Sequence, residues 1–252
     1  MIRRLIILLL IVGCAKDSNN SIASPTPLPP LFENSIVSTE IDFIRESDPD
    51  AFISITYTGE DEKEMPDRRN DILYDTNTYV FEASFSNGKI VEIWAHSSFG
   101  DENIAQEFAD KLTSRLGKLP EFMRDKLSHV VIHKGDATAF SDHLGHFFVL
   151  YSDNMNTRII NNDLEETVFH ESVHATLDAD HREQQGWINA QKRDNNFITE
   201  YAQDNPETED LAESAIFIYT MLKYPARLSE DVEDWVNTHI PNRFEYVRSM
   251  FE

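Results

Sequence analysis

Val168-Phe169-His170-Glu171-Ser172-Val173-His174-Ala175-Thr176-Leu177-Asp178 is the stretch on which the reading of this chain turns. Its centre is His-Glu-x-x-His. On a helix, residues four apart lie about 5–6 Å from each other at Cβ on one face, so His170 and His174 can converge on one zinc ion at roughly 2.0–2.1 Å per nitrogen. Glu171 is rotated by about 100° around the axis, too far to share the metal but within reach of a water beside it, where a general base would stand. The helix is expected on separate grounds. Asn161, Asn162 and Asp163 offer N-caps, Glu165 and Glu166 fall in the first turn, and Leu164, Val168, Val173 and Leu177 form an apolar stripe. The plainer alternative is a surface helix that carries two histidines by chance.

Two histidines need a third protein ligand if a fourth position is to stay open for water. Glu209 and Glu213 lie four apart on a later predicted helix, so one can bind zinc while the other hydrogen-bonds a ligand histidine from behind. Glu209, which precedes the apolar body of that helix, is the first choice and Glu213 the alternative. Asp180 is a third candidate: it falls where a compact His-Glu-x-x-His-x-x-Gly-x-x-(His/Asp) motif would end, but Leu177 stands where that motif needs its glycine. His143 and His146, three apart, are either a second metal pair or structural histidines.

The chain has 252 residues, 40% of them hydrophobic, enough for one sizeable domain or two small ones. Asp and Glu number 45 against 22 Lys and Arg, a net charge of −23, and no basic cluster is present to displace counterions, which argues against nucleic acid as a partner. The acidic surplus reads mainly as a solvated, self-repelling surface and secondarily as a preference for cationic substrates. At the N-terminus, basic Met1-Ile2-Arg3-Arg4 and apolar Leu5 to Val12 read as a signal peptide too short to span a bilayer. Ile11-Val12-Gly13-Cys14 resembles a bacterial lipobox, which implies removal of residues 1–13 and lipidation of Cys14, the only cysteine. Ala15 is similar to the residue found there in lipoproteins sorted to the outer membrane. The implied protein is anchored by lipid to the bacterial cell envelope, with no disulfides or thiolate ligands.

Residues 14–33 read as a flexible tether, with Pro25, Pro27, Pro29 and Pro30 forcing extended backbone. Residues 34–252 read as the catalytic domain, and 34–77 are open to three readings: an N-terminal extension, a cover, or part of the sheet. Phe52 to Tyr57 alternates as a strand. Thr78 to Phe85 and Lys89 to Ala95 flank Asn87-Gly88, a pattern that predicts a hairpin with a two-residue turn. Asp101 opens a helix that Gly117 is expected to stop. His129 to His133 and Gly145 to Tyr151 are further strands, the second either a core strand or a sheet edge on which a peptide lies as an added strand. Asn205 as N-cap with Pro206 at the first helical position predicts a helix running to about Lys223.

His170-Glu171-x-x-His174, then Tyr201, then Glu209-x-x-x-Glu213 resembles the gluzincin metallopeptidases, most closely the branch that contains anthrax lethal factor and the proline-proline endopeptidases. The match covers residues 164–222, and the spacing from Tyr201 to Glu209 is one residue longer than in that branch. The resemblance implies an α+β, zincin-like metallopeptidase domain, with a small mixed sheet, an active-site helix and a helical C-terminal part. It also implies a zinc cofactor held by His170, His174 and Glu209, an oxyanion-stabilising Tyr201, and a protein or peptide substrate attacked by water with Glu171 as base. Asp178, four after His174, is similar to a structural aspartate of thermolysin-like sequences. Two rival functions remain at this level: a zinc-binding lipoprotein without turnover, and a zinc hydrolase of a non-peptide amide.

Overall fold

The computed structural model describes residues 27–252, so the readings of residues 1–13 and of Cys14 lie outside the described residues. Among these residues, one six-stranded mixed sheet has helices packed against it. Its first three strands, β1 (Phe52–Glu64), β2 (Tyr74–Phe85) and β3 (Ile90–Ala95), run antiparallel; β4 (His129–His133) and β6 (Phe147–Tyr151) continue the sheet parallel to β3, and β5 (Phe140–Asp142) closes it antiparallel to β6. The order is therefore β1-β2-β3-β4-β6-β5. Of residues 145–151, open to reading as a sheet edge, Phe147–Tyr151 form an interior strand, and the edge on this side is β5, a three-residue strand that no sequence pattern announces.

Two local expectations are corrected. The loop between β2 and β3 has three residues: Gly88 N–H donates to the Phe85 carbonyl at 2.8 Å, and Phe85 N–H to the Lys89 carbonyl at 3.0 Å. Only Gly88 takes a positive φ, 84°, so Ser86 and Asn87 make an ordinary turn and the glycine supplies the left-handed bulge. Gly117 does not stop its helix, α1 (Glu102–Lys118). A Cβ there would stand 1.8 Å from Asp50 Oδ1 and 2.8 Å from Phe52 N, so the glycine lets the chain entering β1 cross the helix at close range.

The strand period of two distributes the core. Val130 and Ile132 of β4 and Phe148 and Leu150 of β6 face the main core, while Val131, Val149 and Tyr151 face a smaller cluster with Met65 beneath the β1–β2 connection. Burial on both faces explains the unbroken apolar runs of these parallel strands. After α2 (Glu121–Lys126) and α3 (Ser152–Asn161), α4 (Leu164–His181) packs against β5 and β6 and against α7 (Asp210–Lys223). Twelve of its eighteen residues are buried, so the predicted stripe understates a helix enclosed on several sides. The helices α5 (Gln185–Asp194), α6 (Glu200–Asp204), α8 (Glu230–His239) and α9 (Pro241–Phe251) complete the helical C-terminal part. Of residues 34–77, β1 and the start of β2 belong to the sheet, and Ile36, Phe43 and Ile44 are buried in the main core. No helix among the described residues is long and apolar enough to cross a membrane.

Candidate metal centre

His170 and His174 leave α4 on one face, and their Nε2 atoms lie 3.1 Å apart. Glu209 Oε2 completes the cluster, 3.3 Å from His170 Nε2 and 3.1 Å from His174 Nε2. Among the described residues this is the one group of three such side chains with ligand atoms close enough to hold a metal ion. Asp180 is not part of it; its carboxylate pairs with Lys126 at 2.5 Å. His143 lines the same cavity as the cluster, and His146 Nδ1 donates to the Ala175 carbonyl at 2.8 Å, so neither joins a second cluster.

Glu209 does not lie within a helix that starts at Asn205, as the Asn-Pro signal predicts. Residues 205–209 form an isolated turn, with Glu209 N–H on the Asn205 carbonyl at 2.9 Å, and α7 begins only at Asp210. Glu209 is thus the N-cap residue, free of the side-chain direction a helix interior imposes, and it turns towards the two imidazoles. Asp210 behind it is fixed by Arg243 Nε at 2.7 Å and by Gln191 at 2.8 Å, with Arg243 and Asp210 both fully buried. A buried pair of this kind contributes little net stability, but it sets where the turn sits.

The remaining carboxylates take the outer nitrogens. His174 Nδ1 donates to Asp178 Oδ2 at 2.9 Å, and Arg182 donates to the same oxygen at 3.1 Å. Glu213, fully buried, presents Oε1 to His170 Nδ1 at 3.3 Å, close but without the alignment of a full hydrogen bond. Its Oε2 accepts from Thr199 Oγ1 at 2.7 Å and from Ile36 N–H at 3.0 Å. Burial works against a charge on either imidazole, yet the surrounding carboxylates outweigh it: His170 is raised well above its ordinary range and His174 to about 9. Burial would likewise raise Glu209, but its bonds to the two histidines hold it well below the usual carboxylate range. Two imidazole nitrogens and a carboxylate oxygen, with the outer nitrogen of His174 held by Asp178 and that of His170 facing Glu213, fit zinc.

Glu171 is buried and its carboxylate lines the cavity of about 250 Å³ in front of the cluster. Ser141 on β5 holds it, with Oγ 2.6 Å from Glu171 Oε2 and 2.8 Å from the Glu171 carbonyl. Tyr201, on α6, lines the same cavity and is 40% exposed. Burial and then the Glu209 charge push its pKa up to about 12, so it is a neutral donor in ordinary conditions. Ser141, Thr199 and Ile36 escape sequence reasoning, because each acts through contacts made only when separate segments meet; Arg182 lies one helical turn after Asp178, a local pairing that the sequence reading passed over. In comparisons with known proteins, no family model matched this chain, and neither did any curated protein or any solved structure.

Proposed function

We propose that this chain is a zinc-dependent peptidase with a zincin-like catalytic domain. The observation that carries the proposal is the convergence of His170 Nε2, His174 Nε2 and Glu209 Oε2 beside an open cavity that Glu171 also lines. His170, His174 and Glu209 would hold the ion, which supplies Lewis acidity and lowers the pKa of water towards about 7. Glu171, steadied by Ser141, takes the proton from the water attacking the peptide carbonyl and returns it to the leaving amine. Tyr201, a neutral phenol at the cavity wall, donates to the oxyanion. The edge strand β5 runs beside α4, and its unpaired side is where a peptide would add as a further strand.

Glu171→Gln tests the reading: zinc stoichiometry stays at that of the parent while peptide cleavage falls about 100-fold or more. An unchanged rate would overturn the enzyme. Residues 1–14 support a lipid-anchored protein of the bacterial envelope, and Ala15 one of the kind sorted to the outer membrane. On detergent phase partition the expressed parent then follows the detergent and Cys14→Ser the aqueous phase; equal partition of both would remove the anchor.

A further inference from the structure

We propose that Arg68 is the binding site for a carboxylate of the substrate, so that the cleft selects peptides with an acidic side chain or a free C-terminus at one fixed position from the cleaved bond. The inference rests on the peptidase reading and names its substrate class. Arg68 comes from the connection between β1 and β2, about a hundred residues before α4, yet lines the same cavity as His170, His174 and Glu171. Its position is built. The backbone N–H donates to the hydroxyl of Tyr151, at 3.1 Å, and that buried hydroxyl donates in turn to Asp67 at 3.0 Å. The guanidinium lies over the Phe140 ring at 4.8 Å, and Nη1 reaches the carbonyls of Thr138 and Ala139 at 3.4 and 3.2 Å. These contacts hold the group at the end of the edge strand on which a peptide would lie.

The charge of Arg68 is uncompensated. In a chain with 45 acidic and 22 basic residues, Arg45, Arg69, Arg115, Arg158, Arg182 and Arg227 each pair with a carboxylate, whereas no carboxylate of the described residues pairs with Arg68. The neighbouring acids have other partners: Asp67 is taken by Arg69, Asp178 by His174 and Arg182, and Glu209 by the two histidines. A planar guanidinium fixed by stacking, with Nε and Nη2 not engaged by any described acceptor, suits bidentate recognition of a carboxylate. The surplus of acid over the whole chain would suggest basic substrates; the cleft points the other way.

The test uses the zinc-loaded full chain on peptides derived from a denatured protein, with cleavage sites mapped by mass spectrometry. Asp or Glu, or a free C-terminus, is enriched at one position, and for matched Glu and Gln peptides the ratio of kcat/KM is about ten or more. Arg68→Gln keeps a donor for the Thr138 and Ala139 carbonyls but not the charge, and brings that ratio towards one. Repeating the assay with C-terminally amidated peptides separates a side-chain carboxylate from a terminal one. Cleavage without acidic enrichment, or enrichment that survives Arg68→Gln, overturns the role of Arg68 and leaves the peptidase standing. If the zinc-loaded parent cleaves none of the peptides, both fall.

Discussion

At the scale of single residues, the side chains of the candidate metal centre and those that aim them differ in how they are specified. His170, Glu171 and His174 sit within five positions of each other, whereas the hydroxyl that steadies Glu171 comes from Ser141, thirty positions earlier on a strand of three residues. A general base must point at one proton, and small misplacements in a catalytic site cost rate steeply. Ser141→Ala therefore lowers kcat about tenfold or more with bound zinc unchanged, measured as turnover against metal content on the same preparation. An unaltered kcat would mean that the backbone of α4 alone aims Glu171.

At the scale of elements, the segment ahead of the sheet is part of the candidate metal centre's support. Phe32 pairs with Thr199 in a parallel bridge, and Tyr201 N–H donates to the Asn34 carbonyl at 2.8 Å, which ties this segment to α6. Ile36 N–H then reaches Glu213, the carboxylate facing His170. Ile36 is the first residue of a short 3-10 turn and follows an extended Ser35, a place where proline's fixed φ fits and only the N–H is forfeited from the backbone. Ile36→Pro should weaken zinc binding about tenfold in competition with a chelator, in line with the loss of groups behind metal ligands, while Ile36→Val stays near the parent. Equal affinity in all three proteins would show that Glu213 needs no help from this segment.

For the molecule as a whole, one buried carboxyl links this N-terminal segment to α4 and makes stability depend on pH. Glu166 Oε1 accepts from Phe43 N–H at 3.1 Å and from Ile44 N–H at 3.3 Å, and only 2% of the residue is exposed. Burial pushes its pKa up to about 8 against an ordinary 4.5, with the two backbone donors pulling back only in part. Because the folded value is the higher, folding retains a proton that the unfolded chain has released. The stability this contributes is complete below about pH 4.5 and is lost as pH rises through about 8. Glu166→Gln cannot titrate, so relative to the parent it gains stability between pH 5 and pH 9, read as the denaturation midpoint of both proteins at matched zinc. Parallel pH profiles would overturn the assignment.

How legible the protein was in its sequence follows the range of each signal. The helix of His170 and His174, the hairpin flanks and the strands β4 and β6 were readable because helix and strand periods are written in neighbouring residues. The same locality misled at Gly117 and at Asn205-Pro206, where a crossing chain and an uncontinued turn overrode the stop and start signals. The sequence alone determined which helix carries two imidazoles in ligand spacing, with a carboxylate between them, since a 3.6-residue repeat puts positions four apart on one face. Only the tertiary structure decided that Glu209 meets those imidazoles while Glu213 stands behind them, that Ser141 holds Glu171, and that Arg68 reaches the cleft. Each of these joins segments thirty or more residues apart, and what brings them together is the burial of a shared core.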